Sequence, residues 1–423
     1  MDRMKKPPPD NHRHVAIIGA GIVGVSTAIW LQRAGHQVTL IDRIGPAGGT
    51  SFGNGGVLAS CAIVPVTVPG LIKKAPRMLF DPNQPLFLRW PYLPRLMPWL
   101  VRYLGHATAD GAAATAAALA PIIGDSLADH QALSSGTGAE RWIVPSDYLY
   151  VYRDREHYQS DAFGWRLRRE HGFHWDEMES EAFAAFDPVF GSENRFASRL
   201  SNHGRISDPG EYVKALAAHV VASGGRLLKA DVSDIVHADG RVTGLRAGGD
   251  LIPCDAAVLT AGAWSGPLAR QLGLKVPMES ERGYHVELWG TNIMPRAPAM
   301  IAAGKFVATP MEGRLRLAGI VEFGGLTAPA SAAPFDLLKK GIRAAIPGIT
   351  WEREEQWMGH RPAPADSVPI IGELDHIRGA FTGFGHHHVG LTGGPKTGQI
   401  LAGLISGQKS NLNLAPYAPS RFH

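Results

Sequence analysis

Apolar residues along this chain come in two rhythms: short unbroken runs, and longer stretches in which they recur every three or four positions. The first run covers residues 15–18, the length of a strand buried on both faces. Residues 22–34 then carry the helical rhythm, Gly35 stands where a helix stops, and residues 37–41 form a second run closed by Asp42. Farther on, an Ala-rich stretch at 108–133 predicts a helix, and 142–152, with Ile143, Tyr148, Tyr150 and Tyr152, predicts a strand. A helix over 211–223 ends at Gly224-Gly225. Strands follow at 226–235 and 241–247, the hairpin turn between them being Ala238-Asp239-Gly240. Residues 256–260 are again an unbroken apolar strand, whereas 282–288 and 314–320 alternate as antiparallel strands do. The last periodic stretch predicts a helix over 395–405.

Parallel-type runs thus lie at the start, middle and end of the chain, with antiparallel-type strands and extra helices between them. The expected fold is α/β, mixed α+β in detail: a Rossmann-like domain assembled from separate segments, with an inserted, mostly antiparallel β-sheet domain. The expected division gives residues 14–80, 200–275 and 351–423 to the first domain and 81–199 and 276–350 to the second. Residues 1–13, charged and Pro-rich, are expected to be a disordered tail.

Between the first strand and its helix stand Gly19-Ala20-Gly21-Ile22-Val23-Gly24. Strand, Gly-rich turn, helix, strand and acid in this order are what a dinucleotide site requires. Gly19 permits the tight turn, Gly21 leaves room for a pyrophosphate against backbone, and Gly24 lets the helix lie close on the strand. The helix N-terminus offers free N–H groups and a partial positive charge to the phosphates. Asp42 is placed to accept hydrogen bonds from an adenosine ribose. Directly after it comes Gly48-Gly49-Thr50-Ser51-Phe52-Gly53-Asn54-Gly55-Gly56, a loop that can press backbone against a flat ring or a phosphate.

Composition narrows the function without naming it. The 423 residues are 45% hydrophobic and 19% charged, a globular balance with enough length for more than one core. A formal net charge of +4 with no Lys/Arg block argues against nucleic acid as a partner. Two distant cysteines, Cys61 and Cys254, suit a reducing compartment and provide no metal motif. The first apolar run is the Rossmann strand itself and no signal-peptide pattern precedes it, so the expected location is the cytoplasm. Residues 85–104 are the most hydrophobic stretch. Arg89, Arg95, Arg102 and the prolines argue against a membrane span, leaving a cover over an internal pocket, or a peripheral contact with the inner face of the cell membrane.

Four separated motifs, in order, make the chain resemble the FAD-dependent amine oxidoreductases of the D-amino-acid oxidase and glycine oxidase superfamily, with bacterial D-amino-acid dehydrogenases the nearest in pattern. They are the Gly19/Gly21/Gly24 turn with Asp42; Thr50 to Gly56; Val258 to Ser265; and Gly359-His360-Arg361-Pro362 with Asp366 and Pro369 to Gly372, after which Gly383 to Thr392 closes the pattern. The resemblance implies non-covalent FAD held by Gly19, Ala20, Gly21, Ile22, Val23, Gly24, Asp42 and Arg43. To these it adds Thr50, Ser51, Asn54 and Gly55, then Val232, and Ala261, Gly262 and Trp264. The last set is Gly385, His386, His388, Val389, Gly390, Leu391 and Thr392. No cysteine follows Cys254, so the covalent cysteinyl-flavin of sarcosine oxidases has no donor in the C-terminal segment. His386-His387-His388 invites a metal reading, but neighbours in sequence do not point at one centre, and no metal is expected.

The implied reaction is oxidative deamination of a small amino acid, most simply of D configuration. Arg361 anchors the carboxylate through its planar fork, hydride passes from Cα–H to flavin N5, and water converts the imino acid to a keto acid and ammonia. Tyr284, Arg282 and His387 are the other expected site residues. The electron acceptor is a quinone or oxygen. Two alternatives stay open at this point: a secondary-amine substrate such as D-proline, hydroxyproline or sarcosine, and a flavoprotein subunit of a larger dehydrogenase complex.

Overall fold

The computed structural model describes residues 12–73, 81 and 84–422, and its strands form two large sheets. The expected tail falls outside the described residues except for His12 and Arg13, whose N–H donates to His36 Nδ1 (3.2 Å).

The first sheet is built on His14–Ile18, which pairs in parallel with Gln37–Asp42 on one side and Ala256–Leu259 on the other. Arg226–Lys229 extends one edge and Ile377–Phe384 the other, both in parallel. Strands covered on both faces need apolar residues at every position, which is why 15–18 and 256–259 read as unbroken runs. One face is covered by the helices Ile22–Arg33, Pro209–Ala222 and Gly390–Ile405, packed on one another through residues such as Val25, Ile29, Leu216 and Leu401. The turn out of the first strand demands glycine twice. Gly19 has φ +107° and a Cβ there would lie 2.6 Å from Thr260 O, while one on Gly24 would lie 1.9 Å from Gly19 O.

The second sheet runs Arg353–Pro364, Met278–Trp289, Arg314–Phe323, Phe306–Met311, Ala299–Ile301, Ile143–Tyr152, Phe196–Ile206, Val57–Leu58. It is mostly antiparallel; Ala299–Ile301 against Ile143–Tyr152 and Leu86–Leu88 against Arg314–Phe323 are parallel pairs. Its strands do not follow the expected segment boundaries. Val57–Leu58, Phe196–Ile206 and Arg353–Pro364, placed by sequence wholly or largely with the nucleotide domain, hydrogen-bond into this sheet. Pairing is decided by what lies alongside in space: Arg353–Pro364 matches Met278–Trp289 residue for residue, from Met278↔Pro364 to Trp289↔Arg353.

Two further expectations are corrected. The helix expected over 108–133 is two helices, Ala109–Ile123 and Ser126–Ser134, interrupted at Gly124-Asp125. The strand expected over 226–235 is Arg226–Lys229 and Val232–Ala238, which pair at different places in the first sheet. The hydrophobic stretch 85–104 becomes Leu86–Leu88, a short 3-10 turn and the helix Leu93–Gly105. That helix buries Leu96, Trp99 and Tyr103 against Phe323, Ala363 and Ala365, and Trp99 Nε1 donates to Ala363 O (2.9 Å).

Two buried histidines brace the start of the last helix. His130 Nε2 must carry its proton, because its partner Leu391 O only accepts (2.9 Å), so Nδ1 accepts from Tyr212 OH (2.8 Å). His386 Nε2 faces Thr397 Oγ1 (2.9 Å), whose own proton goes to Gly393 O. Burial pushes both imidazoles down to about 4. The unfolded chain takes up these protons from about pH 6.5 downward, whereas the folded one resists until about 4. Stability therefore falls as pH is lowered through that window. A thermal melt series should show the midpoint dropping steadily from neutral pH to about 4; a flat profile would mean that these imidazoles protonate in the folded state.

Candidate active site

The C-terminal ends of the parallel strands open onto a cavity of about 400 Å³. Gly19, Gly21, Ile22 and Val23 line it from the first turn, Asp42 and Arg43 from the end of the second strand, and Thr50, Ser51 and Asn54 from the Gly-rich loop. Val232 contributes where the chain crosses from Arg226–Lys229 to Val232–Ala238, and Ala261, Gly262 and Trp264 follow the strand Ala256–Leu259. Gly385, His386, Gly390 and Leu391 close it from the C-terminal segment. Ala20 and Gly24 do not face the cavity: the Ala20 N–H donates to Asp42 Oδ2 (2.8 Å), and Gly24 packs on Gly19. Sequence reasoning missed Ala230, Asp231 and Ser233 beside Val232, because the break between those two strands has no glycine or proline to mark it.

The helix Ile22–Arg33 begins at Gly21, which has no side chain to cap it, and carries no acidic residue in its first turn, so most of its positive end is left for a ligand. Ser51 Oγ accepts from Ile22 N–H (3.0 Å) and ties the Gly-rich loop to that end. The Arg43 guanidinium lies over the Trp264 ring at 4.1 Å, joining two walls of the cavity. Asp42 is more committed than its position in sequence implies. Oδ2 accepts from Ala20 N–H, and Oδ1 from the N–H groups of Ile44 (2.8 Å) and Gly45 (2.9 Å). It therefore holds the turn together as well as facing the cavity.

A second cavity of about 480 Å³ lies over the second sheet and shares Thr50, Asn54 and His387 with the first. Gly55, His388, Val389 and Thr392, expected at the cofactor, line this one. His388 presents an exposed side chain to the cavity, and desolvation by the surrounding walls, with the neighbouring His387, pushes its imidazole down to about 3. Arg361, Tyr284 and His387 are brought together here with a residue the sequence did not single out, Glu281. Glu281 Oε1 accepts from Arg361 Nη1 (2.9 Å), and its Oε2 pairs with His387 Nε2. Burial pushes the Glu281 carboxyl up, but His387 and Arg361 outweigh it and hold it well below the usual carboxylate range. An ionised carboxylate only accepts, so His387 carries a proton on Nε2. Its Nδ1 is buried without a partner among the described residues, and its backbone has φ +50°. The Arg361 guanidinium lies across Gly283, where a Cβ would fall 2.6 Å from Cζ. Glu281 was legible only through pairing, since nothing in Glu281-Arg282-Gly283-Tyr284 marks which alternate residue faces inward.

Arg282 lines neither cavity. Fully buried on the opposite side of the strand, it pairs through Nη1 with Glu322 (2.6 Å) and donates through Nη2 to Ala328 O (2.9 Å) and Pro329 O (2.6 Å). The expectation that it acts in the site is corrected to anchoring the 324–331 loop, because adjacent strand residues point to opposite faces. Tyr284 lines the cavity, but its hydroxyl donates to Glu322 Oε2 (2.6 Å) and accepts from Ser331 N–H (3.1 Å), so it is tied to the same buried cluster.

A parallel sheet with an uncapped, glycine-framed helix end, joined through three shared residues to a cavity over an antiparallel sheet, defines a dinucleotide-dependent enzyme of two sheets. Comparison with known proteins supplies the family. The chain matches the model of the DAO family, FAD dependent oxidoreductase, over residues 14–404, and it belongs to that family. It is 37% identical over 417 residues to a D-amino-acid oxidase of Bradyrhizobium diazoefficiens, covering 97% of this chain and 99% of the relative. It is 30% identical to a D-amino acid dehydrogenase of Paramagnetospirillum magneticum, covering 96% and 98%. Among solved structures, glycine oxidase of Bacillus cereus superposes with a TM-score of 0.73 at 20% identity, covering 97% of this chain and 99% of that one, a likeness of fold.

FAD is the cofactor, and the site accommodates it on its own terms: a positive helix end with no acidic residue in its first turn, and a cradle in which a Cβ on Gly21 would fall 3.1 Å from Ser51 Oγ. Asp42→Ala is expected to weaken FAD binding about ten- to a hundred-fold, the loss of a charge-assisted contact worth about 1.5–3 kcal/mol. Flavin-fluorescence quenching on titrating FAD into apoprotein measures it; unchanged affinity would leave Asp42 with only its backbone role.

Proposed function

We propose that this FAD enzyme oxidises the Cα–N bond of an amino acid, preferentially of D configuration, and that Arg361 receives the substrate carboxylate. The observation that carries this is Arg361 in the second cavity: Nη1 is fixed by Glu281, the guanidinium is laid across Gly283, and the rest of its fork is left for a second carboxylate. The names of the relatives, oxidase and dehydrogenase of D-amino acids, support the same substrate class. When bound, FAD accepts the hydride of the substrate Cα–H. The chain's part is placement and charge. Glu281 holds Arg361 by Nη1, so the guanidinium meets the substrate in a fixed orientation. His387, with its proton on Nε2 directed to Glu281, is held at the junction of the two cavities. The helix Gly390–Ile405 begins there without a side-chain cap or an acidic residue in its first turn, and favours negative charge beside it by about 0.3–2 kcal/mol. Anaerobic mixing with D- and L-amino acids and with secondary-amine acids tests the proposal; bleaching of the flavin band by none of them would sink it.

For the acceptor we favour a quinone reached at a membrane surface. The helix Leu93–Gly105 buries one face on the second sheet and leaves Met97 and Val101 exposed on the other, with Trp90 just before it and Arg95 and Arg102 alongside. Exposed apolar residues flanked by cations match an anionic bilayer. Co-sedimentation with vesicles containing anionic lipid should fall at least several-fold in a Trp90→Asp, Val101→Asp variant; equal or absent sedimentation in both proteins would leave oxygen as the better acceptor.

A further inference from the structure

The second cavity does not end at Arg361. Tyr150, Met300, Val307 and Ala318 stand in register on four neighbouring strands and all line it, as do Val57, Val64 and Val66. At the far end, on the helix Ala162–Glu170, is Arg168, with only 8% of its surface exposed. Its Nε donates to Cys61 O (3.1 Å) and Nη2 to Tyr150 OH (2.9 Å), and the guanidinium stacks on the rings of Trp165 (4.7 Å) and Tyr150 (4.8 Å). All of these partners are uncharged. Among the described residues no carboxylate pairs with Arg168, and Nη1 has no hydrogen-bond partner. Asp161, the carboxylate nearest in sequence on the same wall, is taken by Tyr152 OH (3.3 Å) and Lys305 (3.8 Å) at the rim. Burial raises the Cys61 thiol; its hydrogen bond and charge interaction with His203 outweigh that, with Arg168 adding a smaller pull in the same direction. The acidic groups beside Arg168 are thus this thiol and the tyrosine hydroxyls and not a carboxylate.

The other arginine of the cavity is already answered by Glu281. A buried guanidinium with no carboxylate beside it is costly unless a ligand supplies one, and a planar fork selects a carboxylate or similar oxyanion. The two arginines are not neighbours. Five strand-to-strand steps separate the strand of Tyr150 from that of Arg361. That is about 24 Å measured along the sheet, before curvature and the inward reach of both side chains shorten it.

We infer that Arg168 is a specificity-determining residue: it binds an acid group at the distal end of the substrate, so the preferred substrates are amino acids whose side chain or N-substituent ends in a carboxylate several bonds from Cα. This rests on Arg361 holding the α-carboxylate. Along the series aspartate, glutamate, α-aminoadipate, α-aminopimelate and α-aminosuberate, all of D configuration, kcat/KM should rise with length. Each longer acid should exceed its ω-amide by at least about tenfold, close to one charge-assisted contact. In Arg168→Met and Arg168→Gln that acid-to-amide ratio should fall towards one, and Arg168→Lys should keep part of it. Perturbation of the oxidised flavin spectrum by glutarate, pimelate and suberate gives a readout without turnover: affinity should grow with length in the wild type and not in Arg168→Gln.

A wild-type acid-to-amide ratio near one at every length overturns the assignment even if no neutral variant folds, and so does a ratio unchanged by a neutral substitution in folded protein. Oxidation of neutral D-amino acids without any acid preference would leave the proposed function standing and remove Arg168 alone. Failure with every amino acid would instead remove the reading of Arg361.

Discussion

Arg361→Ala is expected to retain FAD and fold yet lose at least about two powers of ten in kcat/KM for its amino-acid substrate. Truncating one partner of a buried charge pair costs about 2–5 kcal/mol, and each decade in rate is about 1.4 kcal/mol. The side chain is largely buried, at 16% exposure, so the upper part of that range applies. Some of the loss is ground-state affinity and appears in KM. The rest is the position of Cα–H, which helps only when held closely, and appears in kcat. Arg361 also answers Glu281, so alanine leaves a buried carboxylate facing His387 alone. Arg361→Lys separates the two effects. It restores a cation beside Glu281 but not a fork for the substrate, and so should recover stability more than rate. An amine without a carboxylate, if oxidised at all, should be much less affected. Rapid-reaction flavin reduction under anaerobic conditions measures all of this, and near-normal kcat/KM in Arg361→Ala would take Arg361 out of the site.

Replacing Glu281 should have the largest effect on stability. It is 4% exposed and stands between Arg361 and His387. Removing one member of a buried pair strands the other and costs about 3–5 kcal/mol. Glu281→Leu is therefore expected to lower the free energy of unfolding, measured by denaturant titration, by that amount, and to lower kcat/KM at least about tenfold through loss of the hold on Arg361. The sign of the pH dependence follows from the depressed carboxyl. Stability from such a group is fully present above the unfolded carboxylate value of about 4.3 and is lost only as pH falls through the lower folded value. The difference between wild type and Glu281→Gln should thus be constant from about pH 5 upward, unlike the histidine contribution, which is already declining below about 6.5. A difference that shrinks between pH 8 and 5 would mean that Glu281 takes up a proton there.

The cofactor half of the site was legible because its determinants are local. A tight turn, a bare helix end and a terminal acid need particular residues at fixed spacing, and Gly19, Gly21, Gly24 and Asp42 lie within a single strand–helix–strand unit. Unbroken apolar runs likewise announced the parallel strands, because a strand buried on both faces has no polar positions to alternate. Arg361 was legible only through the resemblance of its segment to a family. Its sheet was not, since strand partners are chosen across space: Arg353–Pro364 follows nothing in its neighbourhood and pairs with a strand some eighty residues earlier, as Arg361↔Glu281 registers. The same holds for which side of a strand faces inward. Glu281 and Gly283 meet the cavity while Arg282 turns away to Glu322, and a one-residue error in that parity exchanges a site residue for a structural one.

By itself, then, the sequence determined the nucleotide-binding unit, the α/β class and the elements that carry them, because those are written in spacings of two to four residues. Only the tertiary structure decided that Glu281 locks Arg361 to His387, that Asp42 is also a clasp for the turn, and that Arg168 shares a cavity with the site. Each is an encounter between side chains far apart in the chain, fixed by sheet register and burial, which no local pattern encodes.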